Sequence, residues 1–173
     1  FSPSYTEYQH LKQGEVLSID IPVTVSGGHG GSFTETGIRI QVTGTNDGAR
    51  ISGDDYEIVR EDQSVHGGML EASGRLKIID IDTGENHFVA QQGLHGLYGT
   101  LDIDAQGEWI YRADNSQAAI QNLNTGQLVN DTITVQSVDG ARHNIFVTVA
   151  GVDEPMPPTL QGPALIQAPP TNH

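Results

Sequence analysis

The sequence predicts an all-β chain built as β-sandwich units in tandem. Three observations carry that expectation. Apolar and polar residues alternate with period two along most of the chain, as in half-buried strands. Gly, Asp and Asn turn signals punctuate these runs, roughly every 8–12 residues. One stretch also repeats itself about one domain length further on, the mark of an array.

Taken in order, the strand-like runs are 15–25, 32–43, 49–60, 68–79, 86–91, 97–103, 108–112, 128–138 and 141–150. Runs 15–25 and 32–43 meet at a Gly-rich tip that begins Gly27-Gly28-His29 and ends at Phe33, a hairpin loop. Asn46-Asp47-Gly48 precedes the third run, Asp104-Ala105-Gln106-Gly107 separates two later ones, and Asp139-Gly140 joins the last pair. Asp114 or Asn115 is placed to cap one short helix through Gln117–Gln121. Trp109, Tyr111, Leu101 and Phe146 are expected in the core. Strands at this spacing with a single crossing helix give a Greek-key sandwich of Ig-like or cadherin-like type. Six of the 8 prolines fall in 155–173, so that tail is expected to be extended.

The charge balance narrows the function classes. The 173 residues carry 22 acids against 8 Lys and Arg, a net charge of −14. That excludes a basic face for nucleic acid and adhesion to anionic lipid. No apolar run has the length of a membrane span or the pattern of a signal peptide, so direct membrane insertion is not expected. With no Cys, there is no disulfide framework, thiolate zinc site or thiol nucleophile.

The acids are also clustered. They sit at apparent strand ends as Asn46-Asp47, Glu61-Asp62, Asp80-Ile81-Asp82, Asp102-Ile103-Asp104 and Asp153-Glu154. Clustered oxygens in loops are what a hard cation such as Ca²⁺ needs. Tracing the strands up and down places Asn46, Asp47, Asp80, Asp82 and Asp104 at one end of a domain. It places Glu61, Asp62, Asp153 and Glu154 at the other. Asp104 and Asp139 fit a turn-forming role equally well, because Asp commonly bonds its own backbone in hairpin turns.

The internal repeat sets the domain organisation. Leu11-Lys12-Gln13-Gly14-Glu15 aligns with Leu123-Asn124-Thr125-Gly126-Gln127, and Ile21-Pro22-Val23 with Ile133-Thr134-Val135, both at an offset of 112. Gly44-Thr45-Asn46-Asp47 aligns with Gly151-Val152-Asp153-Glu154 at an offset of 107. The difference falls in the hairpin tip, where loops tolerate insertion. Residues 1–47 therefore read as the C-terminal part of one repeat and 48–154 as a complete repeat. Residues 155–173 read as a Pro-rich linker and the start of a third. Residues 48–154 hold 17 acids and six bases, so −11 of the charge belongs to that repeat.

Three strings in order suggest a family. The first is Val59-Arg60-Glu61-Asp62, Gly68-Met69-Leu70-Glu71-Ala72-Ser73-Gly74 and Asp80-Ile81-Asp82-Thr83-Gly84. The second is Tyr98-Gly99-Thr100-Leu101-Asp102-Ile103-Asp104 running to Gly107-Glu108-Trp109-Ile110-Tyr111. The third is Asp131-Thr132-Ile133-Thr134-Val135 leading to Ser137-Val138-Asp139-Gly140. Residues 48–154 resemble a VCBS-type repeat of large bacterial RTX adhesins. The resemblance implies an extracellular, calcium-dependent β-sandwich at the bacterial surface, exported by type I secretion, whose partners are neighbouring repeats of the same chain. Repeats of this family usually carry Asp where the first copy has Gly27, which implies a ligand lost from that copy's outer loop.

Other chemistry finds little support. The seven His lack zincin spacing, and no nucleophile elbow or phosphate-binding loop is present. Asp102 and Asp104 lack an aromatic-lined cleft for glycoside hydrolysis. No enzyme is expected. The expected role is a calcium-stiffened spacer in cell adhesion and biofilm formation. The alternative is an adhesin module binding a host glycan or surface protein, through the tip at 27–33 and the tyrosines Tyr5, Tyr8 and Tyr98.

Overall fold

The computed structural model describes residues 8–25 and 34–154. The hairpin tip with Gly27 and His29, Tyr5, and the whole of 155–173 lie outside the described residues. The described chain is all-β with one helix of a single turn. The strands are β1 (Val16–Val25), β2 (Thr34–Thr43), β3 (Arg50–Gly53), β4 (Tyr56–Arg60), β5 (Val65–His66), β6 (Met69–Ile79), β7 (Gln91–His95), β8 (Gly99–Ile103) and β9 (Glu108–Asp114). Helix α1 (Ala118–Gln121) then leads to β10 (Leu128–Gln136) and β11 (Arg142–Ala150).

Two sheets form a sandwich. One has the order β10-β11-β4, the other β3-β6-β9-β8-β7 with β5 paired to β6. Every pairing is antiparallel except β11 with β4. Alternation dictates the facing. On β6, Leu70, Ala72 and Leu76 point inward; on β9, Trp109, Tyr111 and Ala113; on β11, Ile145, Val147 and Val149. Phe88 and Ile120 close the core outside the strands. Each large apolar side chain fully buried in this way contributes about 1.5–3 kcal/mol.

Four sequence expectations need correction. The run 49–60 is two strands, because the chain passes from one sheet to the other at Asp54-Asp55. Gly53 (φ 127) makes the bend, and the Trp109 indole N–H donates to the Asp54 carbonyl at 2.8 Å. A Cβ on Gly53 would lie 2.4 Å from the Arg75 carbonyl oxygen. The run 86–91 is displaced: only a bridge from Phe88 to Ser137 forms there, and β7 starts at Gln91. Phe146 is 42% exposed rather than core, since its neighbours Ile145 and Val147 take the inward positions. Neither Asp114 nor Asn115 caps α1. The capping position is Gln117, with no side-chain cap bond. Asp114 Oδ1 instead accepts the Ser116 N–H and hydroxyl at 2.8 and 2.7 Å, which hold its pKa below the ordinary value.

The two long hairpins share one register. β1–β2 pairs Val16 with Thr43, Ile19 with Ile40 and Ile21 with Ile38. β10–β11 pairs Leu128 with Ala150, Asp131 with Val147 and Ile133 with Ile145. Nine of the ten pairs of the first become the nine pairs of the second on adding 112 and 107. Their bases match too: Gly44 packs against the Leu11 and Lys12 carbonyls, and Gly151 against Leu123 and the Asn124 carbonyl.

One buried polar residue pins the sandwich. Asp131 is 1% exposed. Its carboxylate accepts the N–H groups of Leu97 (2.6 Å), Tyr98 (2.9 Å) and Gly99 (3.0 Å) and the Tyr111 hydroxyl (3.0 Å). Burial alone pushes its pKa up, but these donors more than reverse that and leave it lowered. Burial, and then the Asp131 charge, push the Tyr111 phenol far up.

Candidate functional site

The loop after β6 carries the first acidic group. Asp82 is 2% exposed, and its Oδ2 accepts the Asp47 N–H at 2.8 Å. Its own N–H donates to Asp80 Oδ1 at 2.9 Å. The Thr83 N–H donates to the His10 carbonyl at 3.1 Å, tying the first hairpin's base to this loop. Asp139 joins from the β10–β11 turn: its Oδ2 accepts the Ala49 N–H at 3.0 Å, and its Oδ1 accepts the Ser137 hydroxyl. Burial pushes its pKa up, but those donors leave it lowered.

Glu85, one turn beyond Asp82, was missed by the sequence reading. Desolvation first, then the charges of Asp82, Asp80 and Asp139, raise its pKa, with Lys12 opposing. The group is therefore a concentration of like charge beside residues 46–49, between β2 and β3. Three of its buried oxygens have no donor: Asp80 Oδ2, Asp82 Oδ1 and Glu85 Oε2. Asn46 and Asp47 are exposed beside it, and Asp47 contributes its backbone N–H. Asp104 goes elsewhere. Its Oδ1 accepts the Gln106 and Glu108 N–H groups, both at 2.9 Å, and forms the β8–β9 turn.

The second group lies at the other end. Glu61 is fully buried; its Oε1 accepts the Val152 N–H at 2.7 Å and its Oε2 has no donor. Asp62 adopts φ 58, and its Oδ1 accepts the Asn115 and Gln121 amides at 2.8 and 3.4 Å. The Asn115 carbonyl oxygen is buried without a partner. Asp153 Oδ1 is used locally, accepting the Thr125 N–H at 2.9 Å, while Glu154 is exposed. The sequence places Asn115 beside Asp114 at the end of β9, but nothing in its spacing shows that it turns toward Asp62.

The donor set is all oxygen, which suits a hard cation and not a thiolate- or imidazole-seeking metal. Among the described residues, no three His, Cys, Asp or Glu side chains are gathered in a closed metal-holding cluster. No helix among the described residues is long and apolar enough to cross a membrane.

No family model matches the sequence. No curated protein matches it either. Among solved structures, a protein of unknown function from Porphyromonas gingivalis W83 is 10% identical with a TM-score of 0.36, covering 79% of this chain and 66% of that one. A Ca²⁺-stabilized adhesin with which an Antarctic bacterium binds ice is 19% identical with a TM-score of 0.29, covering 79% of this chain and 32% of that one. The chain thus spans just under two thirds of the first and about a third of the second. Likenesses at these scores carry no argument about fold or function.

Proposed function

We propose that this chain is a calcium-stabilised, extracellular repeat module of a large bacterial surface adhesin, acting as a spacer in adhesion and biofilm formation. The observation that carries the reading is Asp82, a buried carboxylate with a donor-less oxygen, whose charge and that of Asp80 act on Glu85, Asp80 and Glu85 each also having a donor-less oxygen. Ca²⁺ supplies positive charge and 6–8 oxygen coordination at such a place. Asp80, Asp82 and Glu85 would hold it, with Asp82 and Asp139 fixing residues 47–49 by accepting the backbone N–H groups of Asp47 and Ala49. Glu61, Asp62 and Asn115 would hold a second ion at the opposite end. The VCBS resemblance of residues 48–154 supports the bacterial surface location and type I export. Isothermal titration with CaCl₂ should show at least one site per chain, with a Kd of about 10⁻³ M or tighter. Asp82→Asn should weaken it. No calcium-dependent heat, or an unchanged titration in the variant, would refute the reading.

A further inference from the structure

Three successive cross-strand pairs on one face of the β1–β2 hairpin are aliphatic. Leu17 lies opposite Val42, Ile19 opposite Ile40 and Ile21 opposite Ile38. The other face is polar, with Ser18 opposite Gln41 and an Asp20–Arg39 ion pair at 2.7 Å. A sheet with one apolar face is built to be covered on that face. Yet Ile21 and Ile38 are 42% and 55% exposed. Among the described residues β2 pairs with no strand but β1.

The chain itself shows what such a hairpin packs against. β10–β11 has the same register, and its corresponding face is sealed by the core residues of β6, β8 and β9 in the opposite sheet. β4 lies parallel along the outer edge of β11, from Phe146 with Tyr56 to Ala150 with Arg60. Subtracting 107 puts the corresponding edge of β2 at Arg39–Thr43. Residues 48–112 of this chain already cover β10–β11. A second copy's equivalents cover its own. Two such hairpins stacked face to face would hide the aliphatic residues but leave both β2 edges unpaired, a poor solution for backbone groups.

We infer that β1–β2 is the acceptor half of a second sandwich, occupied by strands of the β4, β6, β8 and β9 kind from a further repeat in the same polypeptide. A parallel strand takes the Arg39–Thr43 edge, and the aliphatic face takes the opposing sheet. The first sandwich differs from the second in one respect. Ile19 stands where Asp131 accepts the Tyr111 hydroxyl, so its covering strand carries no hydroxyl at that place.

The test is a lengthened chain. Residue 1 corresponds to Ala113 by the offset of 112, so a copy of residues 48–112 joined ahead of Phe1 continues in register. That copy carries Tyr111→Phe. Amide hydrogen exchange across Arg39–Thr43 should slow by about a hundredfold or more relative to the original chain, as this edge joins a core. A control with Leu70→Asp and Trp109→Asp in the added copy should return to the original rates. The inference is overturned if the edge still exchanges at its original rate while 48–154 keeps its protection. It is also overturned if the disabled copy protects equally well, or if the original chain already protects this edge by dimerising. The inference does not rest on calcium: loss of protection here leaves the titration untouched, and a failed titration leaves the register argument standing.

Discussion

Asp131→Ala should cost about 3–5 kcal/mol of stability, enough to lower the melting temperature by on the order of 15 °C. The carboxylate is 1% exposed and accepts five donors: the N–H groups of Leu97, Tyr98, Gly99 and Thr132 and the Tyr111 hydroxyl. Alanine removes the acceptor of all five and leaves the Tyr111 hydroxyl stranded in the core. Tyr111→Phe removes only one bond and should cost about 1 kcal/mol. The pH dependence has a defined sign. The folded-state pKa of Asp131 lies below its unfolded value, roughly 3.9, so its contribution is complete above that value. It is lost as pH falls through the folded pKa. Urea denaturation of parent and Asp131→Ala should therefore differ by a constant amount above about pH 5 and converge in stronger acid. A gap that persists unchanged in strong acid would show that shape, not charge, was lost.

Glu85→Gln should act in opposite directions with and without calcium. In EDTA the ionised carboxylate faces Asp82, Asp80 and Asp139, and its raised pKa records that the fold disfavours its charge. Neutralising it should raise the melting temperature of the metal-free protein. In saturating Ca²⁺ the same substitution removes a charged ligand. It should weaken calcium binding by about tenfold or more and lower the melting temperature relative to the parent. Melting curves of both proteins in both buffers check this. A change of the same sign in the two conditions would separate Glu85 from any cation site.

The sequence made much of the fold readable because period-two alternation and turn glycines act locally. β1, β6, β10 and β11 fall within a few residues of their expected bounds. Alternation says nothing about which sheet a strand joins, so the crossing at Asp54-Asp55 was invisible: it depends on Trp109, 55 residues away. It also left the phase of β11 open, which is why Phe146 was misplaced. Of the acidic residues, Asp80 and Asp82 announce themselves by spacing, and Asp82 is indeed buried. Glu85 and Asn115 do not, because their surroundings come from distant segments. Asp131 was the deepest omission. Its partners are mostly backbone amides more than thirty residues earlier, and amides leave no mark in a sequence.

Part of the −14 charge likewise takes on a place: Asp80, Asp82 and Glu85, in the loop after β6, each keep a buried oxygen without a donor. The most direct test of that account is the melting temperature in excess Ca²⁺ against EDTA, at constant ionic strength. At about a hundred times Kd, one site should add about 2.7 kcal/mol, or roughly 10 °C. A substantially higher melting temperature in Ca²⁺, not reproduced by Mg²⁺, is the predicted result. Identical melting in Ca²⁺ and EDTA would contradict it.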